Sequence, residues 1–172
     1  THGEIINSDI SIDATGKVVT PGFIDLHSHS DFSFLLDSTA QSKLRQGVTM
    51  ELLGNCGFSL CAPLNKYTRE DFDSWISEYT DTFDITWSDF GEYIAASKKA
   101  KATINLAFQV GHGTLRASVM GYEDRTPSAD ELDKMKNLAG ECLDAGALGL
   151  STGLVYSPGT YSRTDELISI AE

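Results

Sequence analysis

At 172 residues, with 41% hydrophobic and 22% charged side chains, the chain is long enough for one globular domain with a real core. Its formal charge of -12 argues against nucleic acid or an anionic membrane as partner, and no apolar run approaches the roughly 18 residues of a membrane span. Three cysteines do not make a disulfide framework, and without a signal-peptide core at the N-terminus the expected compartment is the cytoplasm.

Near the start, Glu4-Ile5-Ile6 and Ser11-Ile12-Asp13 read as small strands, with a turn at Ala14-Thr15-Gly16-Lys17. Thr20-Pro21-Gly22 is turn chemistry and predicts a strand over 23–28. A weak helical pattern over 38–46 places Ala40 and Leu44 four apart, with Gly47 as C-terminal cap. The apolar run 48–53 is a buried strand that ends at Gly54-Asn55-Cys56-Gly57. Thr68-Arg69-Glu70-Asp71 opens a helix whose Phe72, Trp75, Ile76 and Tyr79 form a core stripe. Another helix starts near Ser88, with Phe90, Tyr93, Ile94 and Ser97 on one side and a solvated end at Lys98, Lys99 and Lys101. A third strand over 103–110 leads into Gly111-His112-Gly113. Ser128 to Glu131 fits a capping box, followed by an apolar face of Leu132, Met135, Leu138, Ala139, Cys142 and Leu143. Gly146 ends that helix, 147–151 is a fourth strand, and Leu167 to Glu172 begins a helix without a stop signal. Buried strands alternating with amphipathic helices predict an α/β fold with a parallel sheet.

His27 and His29 are the strongest site candidates. Residues two apart on a strand share a face, so their imidazoles stand side by side, as joint binding of one divalent metal requires. Asp25 or Asp31 would orient such histidines, and Asp31 is also a candidate substrate contact. Cys56 is either a metal-binding thiolate or a buried structural cysteine, whereas Cys61 and Cys142 read as structural. His112 suits either a substrate contact or support of its own loop, and Arg116 either an anion contact or the surface. Tyr156 is placed to line a substrate pocket, where its phenol suits a carboxylate or amide. Ser151 and Thr152 lack the neighbours of a serine-hydrolase triad, no G-x-S-x-G is present, and Gly111 to Gly113 is too short for a phosphate loop.

Val19 to His29 resembles the V-x-P-G-F-I-D-x-H-x-H opening of the amidohydrolase superfamily. Gly54-Asn55-Cys56-Gly57, Gly111 to Arg116 and Gly146 to Tyr156 narrow the resemblance to the N-acyl-D-amino-acid deacylases, or D-aminoacylases, and it runs from about Ile12 to the last residue. The resemblance implies that residues 21–172 are the N-terminal half of a (β/α)8 TIM-type barrel and that residues 1–20 are the remnant of a small β-sandwich. It implies one or two Zn2+ ions, with His27, His29 and Cys56 as metal ligands. Two more histidine ligands and the aspartate base would come from later strands. The chain has only His2, His27, His29 and His112, so by itself it is expected to be inactive. The implied reaction is hydrolysis of the amide of a small N-acyl-D-amino acid to a carboxylate and a free D-amino acid. The alternatives are a cyclic amide hydrolase of the dihydroorotase or hydantoinase kind, or an inert structural fragment. Half a barrel would expose strand edges and favour self-association.

Overall fold

The computed structural model describes residues 8–60, 65–79 and 85–172. Strands Phe23–Asp25 (β1), Val48–Leu53 (β2) and Asn105–Phe108 (β3) form one parallel sheet in that order, so that Met50 faces both Ile24 and Asn105. Val110–Gly111 (β4) pairs in parallel with Leu150–Ser151 (β5). Only Gln109 separates β3 from β4; its N–H donates to the Leu53 carbonyl at 2.9 Å, and Leu148 donates to the Phe108 carbonyl at 2.8 Å. The strands therefore run as four parallel passes, all with their C-terminal ends on one edge. The break at Gln109 falls where Gly54 packs on its carbonyl: a Cβ on residue 54 would stand 2.1 Å from that oxygen.

The α-helices between the passes are Ser33–Leu36 (α1), Gln41–Leu44 (α2), Lys66–Trp75 (α3), Phe90–Ala100 (α4), His112–Met120 (α5) and Ala129–Asp144 (α6), and Thr164–Ala171 (α7) follows the last. Their boundaries follow local chemistry. Ser128 and Glu131 close the expected capping box of α6, and Asn65 with Thr68 closes another at α3, so that helix begins ahead of Thr68. Asp89, rather than Ser88, caps α4 by accepting from the Glu92 N–H. The helix expected over 38–46 is shorter: α2 has Arg45 as its C-cap, and Gly47, at φ +80°, turns the chain into β2.

The core lies where these helices meet the sheet. Leu53, Val110, Leu115 and Met135 are fully buried, and Tyr93 meets Phe108 edge to face at 5.2 Å between ring centroids. Each such side chain contributes about 1.5–3 kcal/mol by leaving water.

Several expectations are corrected. Strand pairing in β1 stops at Asp25 instead of continuing to 28, because the side chains of Asp25, Ser28 and Ser30 take over the bonding. Ser11-Ile12-Asp13 is exposed and pairs with no strand among the described residues, although the turn after it is present, Lys17 donating to the Ala14 carbonyl. The segment after Gly111, read as a loop, is the helix α5. Of the core stripe expected on α3, Phe72 and Ile76 are buried, while Trp75 and Tyr79 are exposed. Glu4-Ile5-Ile6 and Cys61 lie outside the described residues.

Candidate metal centre and adjoining cavity

Three ligand atoms, one each from His27, His29 and Cys56, lie within 4.8 Å of one another at the C-terminal edge of the sheet. His27 Nε2 is 3.2 Å from Cys56 Sγ, and the two imidazole centroids are 5.6 Å apart. Ligands shared by one zinc stand about 2.0–2.1 Å (nitrogen) and about 2.3 Å (sulfur) from the ion, so two of them fall at most about 4.4 Å apart. The cluster, with its ligand atoms within 4.8 Å of one another, comes close to that limit. Two imidazoles and a thiol are also the donor types that zinc takes.

The convergence has a local cause. The Asn55 amide donates to the Ser28 carbonyl, between the two histidines, at 3.1 Å, and to the Leu52 carbonyl at 2.7 Å. Gly54 N–H donates to Asp31 Oδ1 at 2.9 Å. These bonds tie the loop after β2 to the histidine run after β1. Cys56 itself sits at φ +57°, a left-handed conformation that costs a non-glycine residue on the order of 1 kcal/mol and turns its thiol toward His27.

Glycines set the rest of the edge. A Cβ on Gly153 would lie 1.8 Å from the Cys56 carbonyl, and one on Gly111 would lie 2.5 Å from the Gly57 backbone. The loops after β2, β4 and β5 thus touch backbone to backbone, and Ser151 joins them: its hydroxyl donates to the Gly54 carbonyl and accepts from Gly57 N–H at 3.1 Å.

Beside the cluster opens a cavity of about 490 Å³ that His29 and Cys56 line at one end. Phe58 and Trp75, stacked at 3.8 Å between centroids, Leu60, Tyr122 and Tyr156 supply its apolar surface, with Asp71 as the acidic group. Burial, with help from the neighbouring Glu70, raises the Asp71 carboxyl above its ordinary range. Burial and the adjacent His27 lower the His29 imidazole below its usual value, which favours the neutral form that binds metal.

The remaining candidates are placed as follows. Tyr156 lines the cavity and is exposed. Asp31 and His112, expected as substrate contacts, are both buried: Asp31 accepts from the loop after β2, and His112 joins the start of α5 to α7. Burial pushes the Asp31 carboxyl up to about 7, and its Oδ2 has no hydrogen-bond partner. His112 Nε2 meets Glu166 Oε1 at 2.8 Å, and Arg116, expected at an anion or on the surface, is fully buried and pairs with Glu166 Oε2 at 2.6 Å. Burial works to raise the Glu166 carboxyl, but the hydrogen bonds from His112 and Arg116 outweigh it and hold it below its ordinary range. Cys142 is buried within α6, its thiol pushed up to about 11 by burial, as befits a structural cysteine. Sequence reasoning missed Trp75 as a cavity residue and Glu166 as the partner of α5. A helical register placing Trp75 three residues from Phe72 and four from Asp71 was visible for the first; no local signal exists for the second.

Comparison with known proteins places this geometry. The family model described as "Amidohydrolase family" matches residues 11–167. The chain belongs to the amidohydrolase family. Within it, the chain is 37% identical over 159 residues to a D-aminoacylase of Alcaligenes xylosoxydans xylosoxydans, covering 92% of this chain and 32% of that protein. An N-acyl-D-glutamate deacylase of the same organism is 36% identical over 165 residues, with 95% and 33% covered. Among solved amidohydrolases, the N-acyl-D-glutamate deacylase of Bordetella bronchiseptica, complexed with zinc and a phosphonate mimic of the tetrahedral intermediate, superposes with a TM-score of 0.77 at 36% identity. That match covers 92% of this chain and 32% of that one. A D-aminoacylase structure concerned with a binuclear metal centre gives 0.75 at 39% identity, covering 93% and 33%. The chain thus spans about a third of the length of the curated relatives it matches.

Proposed function

We propose that this chain is the N-terminal part of a zinc-dependent hydrolase that cleaves the amide bond of N-acyl-D-amino acids, giving a carboxylate and a free D-amino acid. The convergence of His27, His29 and Cys56 carries the reading, since it joins a donor set suited to zinc to an adjoining cavity. Relatives that act on N-acyl-D-amino acids support the substrate class. When bound at such a site, zinc lowers the pKa of a water and polarises a carbonyl. The chain's own share is to bind and orient: His27, His29 and Cys56 hold the ion, Tyr156 offers a phenol to a substrate carboxylate or amide, and the Phe58–Trp75 wall takes apolar groups and excludes water.

The four parallel passes, with every motif on one edge, support the further proposal that residues 21–172 are the first half of a (β/α)8 barrel; that residues 1–20 belong to a β-sandwich rests on the family resemblance alone. Phe23, Ile24, Leu26 and Leu148 are exposed, which is consistent with self-association of the isolated chain. Gel filtration tests that part. The functional reading is tested with the full-length protein, through zinc-dependent hydrolysis of N-acetyl-D-methionine. It requires turnover that chelator and His27→Ala both abolish; turnover that survives both refutes it.

A further inference from the structure

Around the histidine run lies a group of charged side chains of which the metal-binding reading assigns a role only to Asp25. Glu51 lies on β2 and is almost fully buried. Its Oε1 accepts from Ser28 Oγ at 3.0 Å and from Ser30 Oγ at 3.3 Å, and pairs with Lys43 Nζ at 2.6 Å. Ser28 and Ser30 flank His29 in the chain. Lys43, on α2, also donates to Ser28 Oγ at 3.2 Å and to Asp25 Oδ2 at 2.6 Å. Asp25 Oδ1 in turn accepts from the His27 N–H at 3.2 Å. One oxygen of Glu51 thus grips both neighbours of His29, Asp25 grips the backbone of His27, and Lys43 joins the two carboxylates.

Pairing in β1 ends at Asp25, so the sheet ladder does not fix residues 27–30. Ser28 and Ser30 both turn to Glu51, whereas the intervening His29 and the preceding His27 turn to Cys56. Tethering the serines therefore sets the rotation of the run, and with it the direction of both imidazoles. A buried carboxylate costs free energy to desolvate, and this one is held between α2 and the residues on either side of His29. We propose that Glu51 and Lys43 are positioning residues that pre-orient His27 and His29 for a divalent metal, acting through Ser28, Ser30 and Asp25. The inference rests on the metal centre assigned above.

The test is titration of the chain with Co2+, read from its visible and thiolate charge-transfer absorption, with Zn2+ competition for affinity. Wild type is compared with Glu51→Ala, Glu51→Gln and Cys56→Ala, and circular dichroism reports folding. Loss of a supporting partner of this kind weakens metal binding about 10–100-fold, and that range is expected for Glu51→Ala, with altered visible bands. Glu51→Gln retains an acceptor for both serines and is expected between wild type and Ala in both readouts. Should Glu51→Ala fail to fold, the Ser28→Ala/Ser30→Ala double variant leaves the ion pairs intact and removes only the tethers; the same loss is expected. Wild-type affinity and spectrum in either folded variant overturn the proposal, as does equal loss in Gln and Ala. Cys56→Ala separates the two readings: unchanged cobalt binding there refutes the metal centre itself, whereas loss there with no change at Glu51 refutes only the positioning.

Discussion

Replacing Glu166 by alanine tests the buried network that anchors α5 against α7. The carboxylate accepts from His112 at 2.8 Å and from Arg116 at 2.6 Å, and the two donor side chains are wholly buried. Removing it leaves the Arg116 guanidinium buried with the Arg125 carbonyl, bonded at 2.5 Å, while its Nε has no partner. Breaking one side of a buried pair costs about 3–5 kcal/mol, a large share of the roughly 5–15 kcal/mol that stabilises a domain. With a urea slope near 2 kcal/mol/M, the unfolding midpoint should fall by about 1.5–2.5 M, and Glu166→Gln should fall less. The pH dependence has a defined sign. Because the folded carboxyl is held below its ordinary range, its contribution is complete above the unfolded value of about 4.3 and is lost as pH falls through the lower folded value. The gap between wild type and Glu166→Ala should therefore narrow at acid pH. A midpoint shift below about 0.5 M at pH 7 would refute the view that this network is a main anchor.

Gly153→Ala would put a methyl group 1.8 Å from the Cys56 carbonyl, so the loop after β2 must move; isothermal titration should show zinc affinity reduced while far-ultraviolet circular dichroism stays close to wild type. Ser128→Ala removes the cap of α6 and should cost about 0.5–2 kcal/mol in urea denaturation, with unchanged metal affinity. Among the described residues the cavity lining carries Asp71 and no lysine or arginine, so Trp75 fluorescence should report tighter binding of N-acetyl-D-methionine than of N-acetyl-D-glutamate. A preference for the glutamate derivative would contradict that assignment of the lining.

Local signals accounted for much of the architecture. The apolar run 48–53 became β2, and Ser128 with Glu131 capped α6, because each depends on residues only a few positions apart. The proximity of Cys56 to the two histidines was legible from strand order, since the ends of adjacent parallel strands are neighbours. What stayed hidden was long-range. Glu166 finds His112 and Arg116 across about fifty residues, and without that partner the glycines around His112 read as a loop rather than a helix start. Likewise Gly57, Gly111 and Gly153 each look like turn residues, although Gly111 and Gly153 are there because two backbones meet with no room for a side chain. Ser28 and Ser30, on either side of His29, gave no sign of Glu51, twenty-three and twenty-one residues away.

X-ray absorption at the zinc edge, on the chain loaded with one equivalent of Zn2+, tests the metal assignment most directly. The account predicts one sulfur neighbour at about 2.3 Å and imidazole nitrogens at about 2.0–2.1 Å, with the sulfur contribution gone in Cys56→Ala. A shell without sulfur in the wild-type chain, or one that Cys56→Ala leaves unchanged, would contradict it.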